Sequence, residues 1–104
     1  MRAVDLNITY VYIIDDSLGM SKGKIAAQVS HVAMILADDN KVLGRAIVLK
    51  ADRKQFNAIR MNLPVEFAMT ADAGLNEVEM GTVTCIGFVQ TEDTKKITKD
   101  LKLV

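Results

Sequence analysis

The chain has 104 residues, half of them hydrophobic and a quarter charged, with thirteen Lys and Arg against thirteen Asp and Glu. That is the size and composition of one globular domain spanning residues 1–104, too apolar to be disordered and too short for two cores. Zero formal charge argues against the broadly basic surface of a DNA-binding protein, and no apolar run is long enough for a membrane span or secretory signal, so a cytoplasmic protein with no membrane attachment is expected.

The charge is segregated along the chain: between Arg60 and Lys95 there is no Lys or Arg, while Glu66, Asp72, Glu77, Glu79, Glu92 and Asp93 fall in that interval. Ile8 to Ile14, β-branched and aromatic throughout, reads as a strand buried on both faces. A polar loop from Asp15 to Ser21 leads to a helix at about 22–37, which Asp38, Asp39 and Asn40 end. Ala46 to Ala51 is a second strand, and Asp52 caps a helix through about Arg60. Pro64 turns the chain into a third strand, Val65 to Thr70, followed by the loop Asp72-Ala73-Gly74. Gly81 precedes a fourth strand, Thr82 to Val89. Thr91 then starts a last helix, with Glu92 and Asp93 in its first turn and Lys95, Lys96 and Lys99 toward its end, as the helix dipole prefers.

Alternating strands and helices predict an α/β fold, a three-layer α/β/α sandwich with a mixed four-stranded sheet. The third and fourth strands are expected to be antiparallel, because the link between them is too short for a crossover helix.

The first helix carries the most chemistry. Lys24, Gln28 and His31, four and then three residues apart, share one helical face. Ile25, Val29, Val32 and Leu36 form an apolar stripe, and Ala26, Ala27, Ser30, Ala33 and Ala37 a small-residue surface suited to close approach. The expectation is a helix buried on one side and chemically equipped on the other. GMSKGK, from Gly19 to Lys24, is not a nucleotide-triphosphate loop: its glycines are one residue too close, and Ile25 stands where a magnesium-binding hydroxyl is needed. Lys22 and Lys24 at the helix start are either a solvated pair or, with the free N-terminal amides, an anion site.

His31, the only histidine, reads either as a hydrogen-bonded structural residue or as part of a site. No Cys/His/Asp cluster has metal-ligand spacing, so neither metal nor cofactor is expected. Cys85 reads as a core thiol. Asp72 ends a strand pattern and enters a Gly-containing loop, which fits both a turn-forming role and the place where α/β folds put their ligands. Thr82 and Thr84 alternate on one face of the next strand, near Asp72.

The segments SKGKIAAQVSHVAMILA, DAG at Asp72 to Gly74, GTVTCIG from Gly81 to Gly87 and the terminal DLKLV, in this order and spacing, resemble the archaeal and eukaryotic type of peptidyl-tRNA hydrolase, often called type 2. The resemblance runs from the first strand to the last residue, with the middle shorter. It implies a sheet between helical layers, a homodimer, and hydrolysis of the ester joining a peptide to the terminal ribose of tRNA, so the implied partner is peptidyl-tRNA. The family's candidate catalytic residues match Lys24, Asp72 and Thr84, while Lys22, Gln28, His31, Asn76 and Thr82 become the candidate substrate-binding set.

Departures are local. The family usually has Lys at Gly19, Gly at Ser21, a basic residue then Thr at Leu75 and Asn76, and Gly-Pro at Val89-Gln90. The mechanism implied has Asp72 orienting a water or taking its proton, Lys24 supplying charge to the oxyanion, and Thr84 holding one of them by a hydrogen bond. The alternatives are a non-catalytic member of the fold that binds RNA, a small anion or a protein partner, and a hydrolase of smaller esters or amides.

Overall fold

The computed structural model describes residues 3–72 and 81–104. In chain order the elements are β1 (Asp5–Asp15), a short 3-10 turn (Asp16–Leu18), α1 (Lys22–Asn40), β2 (Gly44–Ala51), α2 (Arg53–Asn62), β3 (Ala68–Ala71), β4 (Val83–Val89), α3 (Glu92–Thr98) and β5 (Lys102–Leu103). They form an α/β fold on one mixed sheet of order β3-β4-β1-β2-β5. β1 runs parallel to β2, and the β1/β4, β3/β4 and β2/β5 pairs are antiparallel.

The sheet therefore has five strands, not four. The fifth comes from the chain end, where Lys102 and Leu103 lie opposite Lys50 and Leu49. Two residues are too few for a period-2 pattern, so only the pairing partner reveals this strand.

β1 is central, and its apolar run is buried from Tyr10 to Asp15. Alternation along the strand divides the core in two. Val11 and Ile13 pack with Phe56 and Ile59 of α2 and with Ile86 and Phe88 of β4, while Tyr10, Tyr12 and Ile14 pack with Val32 and Leu36 of α1 and with Cys85. Gly87 lets α1 sit close to β4, since a Cβ there would meet Val32 Cγ1 at 2.5 Å and Tyr12 Cδ1 at 2.9 Å.

α1 runs to Asn40, a turn beyond the expected stop. Asn40 Nδ2 donates to Leu36 O at 2.9 Å, and Lys41, in the left-handed region at φ 57°, closes the helix by donating its N–H to Ala37 O at 2.8 Å. Two aspartates near the end oppose the dipole only weakly, because both are exposed. β3 begins at Ala68 rather than Val65, since its ladder starts where Ala68 meets Gly87. Asp52 caps α2 as expected, in a capping box with Gln55, and Thr91 caps α3 in the same manner with Thr94.

Candidate active site

The candidate residues gather at the carboxyl ends of β1 and β3, where α1 begins. Asp15 ends β1, and its carboxylate accepts hydrogen bonds from the Ser17 backbone N–H at 3.0 Å and the Ser17 hydroxyl at 2.5 Å. The chain turns at Gly19, whose φ of 61° suits a residue without a side chain, and enters α1 through the N-cap Ser21, which accepts from Lys24 N at 3.2 Å. Lys24 therefore sits in the first turn. On the other side, Asp72 follows β3, fixed by backbone bonds from its own N–H to Thr82 O at 2.9 Å and from Gly81 N–H to its carbonyl at 2.8 Å.

These placements bring Lys24 Nζ into an ion pair with Asp72 Oδ2, the lysine side chain 11% exposed and the aspartate side chain 0%. A cation in the first turn of a helix is disfavoured by the dipole, and the buried carboxylate beside it reverses that balance. The counter-charge to Lys24 at this helix start is thus supplied by the protein itself, while Lys22 is exposed.

Lys24 is the member of the pair that solvent reaches.

The polar stripe of α1 is not on a face of its own. Gln28 is buried in line with Val32 and Leu36, facing the sheet, whereas His31 is exposed and its side chain forms no hydrogen bond or ion pair among the described residues. The small-residue surface also departs from expectation: Ala26, Ala27, Ser30 and Ala37 face solvent. Lys22 is exposed and borders an apolar groove with Ile25, Val29, Val48 and Val104.

Thr84 reaches the site through a β-bulge. Thr70 pairs with Cys85 and Ala71 with Val83, which leaves Thr84 as the extra residue. Strict alternation from Ile86 and Phe88 would turn Thr84 toward α2. Instead its hydroxyl donates to Gln28 Oε1 of α1 at 2.5 Å and lies 3.2 Å from Thr70 O. Its hydrogen bonds run to Gln28 and Thr70, not to Lys24 or Asp72, contrary to the expectation that it holds one of that pair. Thr82 contributes its backbone carbonyl to Asp72 and is partly buried. Asn76 lies outside the described residues.

Two contributors were not anticipated. Thr70 lies two residues before Asp72 and presents its carbonyl to Thr84; its own hydroxyl is buried without a hydrogen-bond partner among the described residues. Asp15, read as loop, is a buried strand end 3.5 Å from Arg53 Nε. Its signal is an aspartate closing an apolar strand two residues before a serine, an Asx-turn pattern. Among the described residues no group of three or more His, Cys, Asp or Glu is arranged to hold a metal ion.

The family model described as "Peptidyl-tRNA hydrolase PTH2" matches residues 8–104. The chain belongs to the peptidyl-tRNA hydrolase PTH2 family.

A protein named peptidyl-tRNA hydrolase from Sulfurisphaera tokodaii is 35% identical over 118 residues, covering 90% of this chain and 96% of the relative. Another of that name from Saccharolobus islandicus is 32% identical over 121 residues, covering 93% of this chain and 99% of the relative. Both alignments are longer than this 104-residue chain, so each relative carries residues that have no counterpart here. Among solved structures, a protein of unknown function from Agrobacterium tumefaciens superposes with a TM-score of 0.74 at 9% identity, covering 96% of this chain and 99% of that one, a likeness of fold alone. Among the described residues no helix is long and apolar enough to cross a membrane.

Proposed function

We propose that this protein hydrolyses the ester bond of peptidyl-tRNA, releasing the peptide and free tRNA. The observation that carries the reading is the Lys24-Asp72 ion pair, a cation and a carboxylate held together at the strand ends and almost withdrawn from water. In a family whose curated members are named for this reaction, such a pair supplies both charges that ester hydrolysis needs. Lys24, on the solvent side, meets the ester carbonyl. Asp72, behind it, holds the ammonium in place; as water attacks on the solvent side, Lys24 passes one of its protons to Asp72 and accepts one from the water. The water oxygen adds to the carbonyl carbon, Lys24 stabilises the oxyanion, and collapse breaks the bond to the ribose oxygen, which receives the proton.

The domain of residues 1–104 would work as a cytoplasmic homodimer in translation. The outer surface of α1 supports the dimer, because Ala26, Ala27, Met34 (70% exposed) and Ile35 (45% exposed) leave an apolar face in water. The two core clusters on β1, one with α1 and one with α2, support the three-layer arrangement.

The test is tRNA release from a purified N-blocked aminoacyl-tRNA, with wild-type protein, Lys24→Ala and Asp72→Ala side by side. Turnover by the wild type and a loss of about a hundredfold or more in each variant support the assignment; an inactive wild type overturns it. The balanced charge of the chain favours a second reading, a non-catalytic protein-binding module, in which case turnover is absent and any tRNA affinity is insensitive to salt.

A further inference from the structure

We infer that Thr84 is a positioning residue for Gln28, locking its side-chain amide so that the Nε2 hydrogens are turned toward the Lys24-Asp72 pair as a second donor for the oxyanion. This rests on the hydrolase reading above and adds a residue and a direction to it.

A side-chain amide has one acceptor end and one donor end, and a hydroxyl has a single proton to give. Thr84 Oγ1 lies 2.5 Å from Gln28 Oε1 and 3.2 Å from Thr70 O, so the proton goes to the amide oxygen, at the short end of O–H···O distances. Fixing Oε1 fixes Nε2 on the opposite side of the amide plane. No acceptor among the described residues takes the Nε2 hydrogens, and Nε2 is not among the buried side-chain atoms sealed off without a partner. A donor that is oriented and unspent among the described residues is the form oxyanion stabilisation requires.

Its location agrees. Gln28 lies four residues after Lys24, and helical side chains lean toward the N-terminus, so the Gln28 side chain leans over the turn that carries Lys24. Asp72 is two residues beyond Thr70, whose carbonyl lies against the same hydroxyl. The bulge that makes Thr84 the unpaired residue of β4 is what turns this hydroxyl toward α1.

The experiment is a double-mutant cycle on peptidyl-tRNA hydrolysis. Gln28→Ala is expected to lower kcat about a hundredfold with KM little changed, as for other oxyanion donors. Thr84→Val is expected to lower kcat about tenfold, the size of one lost hydrogen bond, with Thr84→Ser restoring it. In the Gln28→Ala background, Thr84→Val costs nothing further, because it acts only through the amide. Losses that multiply across the two positions, or a Thr84→Val enzyme with wild-type kcat, overturn the inference.

Side-chain amide resonances of Gln28 in isotope-labelled protein read the lock without turnover. A shift in Thr84→Val that returns in Thr84→Ser supports the lock, and unmoved resonances overturn it. A wild-type protein that releases no tRNA removes the hydrolase reading and the oxyanion role with it, while the same resonances still decide whether Thr84 holds Gln28.

Discussion

Lys24 Nζ and Asp72 Oδ2 form an ion pair that joins the first turn of α1 to the residue following β3. The pair draws on a helix start and a strand end that share no local sequence. Its stability and its chemistry are separable.

Removing one partner leaves the other charge buried, so Lys24→Met or Asp72→Leu alone is expected to cost about 3–5 kcal/mol. The double replacement, which removes both charges, is expected to recover most of that stability while remaining inactive. Urea unfolding beside the tRNA-release assay checks both. A double variant as unstable as the worse single would show that the pair does more for the fold than cancel its own charges.

Lys22 and His31 are both exposed on α1 and neither joins the Lys24-Asp72 ion pair, so under the proposed function they would act in tRNA binding rather than in bond breaking. Lys22→Ala and His31→Ala are expected to raise KM severalfold with kcat unchanged, and the Lys22 effect is expected to shrink at high salt. Steady-state kinetics at two ionic strengths would show it, and a drop in kcat for His31→Ala would move that residue into the catalytic group.

Gly87→Ala tests the contact between α1 and β4. Its Cβ would meet Val32 Cγ1 at 2.5 Å, Tyr12 Cδ1 at 2.9 Å and Leu36 Cδ1 at 3.2 Å, so the interface must open at a cost of about 1–3 kcal/mol. Gln28 is on the same buried line of α1 as Val32 and Leu36, so activity is expected to fall along with the urea midpoint. An unchanged midpoint would mean that the helix has room to shift.

Cys85 is fully buried, and burial pushes its thiol up from 9.0 to about 12. Tyr12 is raised above 10.0 by burial and then by the nearby Tyr10 and Cys85. In both cases the unfolded chain loses its proton first, so above about pH 9 it binds fewer protons than the native state and stability falls as pH rises. Urea midpoints are expected to be level below pH 9 and to decline above it, less steeply in Cys85→Val. The same burial predicts that a thiol reagent at neutral pH labels Cys85 only after denaturation.

Much of the fold was legible because it is local. The buried run of β1, the caps Asp52 and Thr91, and the antiparallel β3/β4 pair follow from side-chain pattern, capping chemistry and loop length. What escaped was non-local. The two-residue β5 has no pattern of its own, the extra turn of α1 depends on Asn40 bonding back to Leu36, and the start of β3 is set by where β4 meets it.

The candidate site divides along the same line. Lys24, Asp72 and Thr84 stand out along the chain as candidates, because helical spacing, a strand-end loop and family motifs are all written in one dimension. The same spacing puts Lys24 and Gln28 on one helical face. That this face turns inward with Val32 and Leu36, that Lys24 is matched by Asp72, and that Thr84 bonds Gln28 rather than the ion pair follows from packing between distant segments. For Thr84 the cause is the bulge: as the unpaired residue of β4 it points the other way, and a bulge is a property of two strands pairing, not of either strand alone.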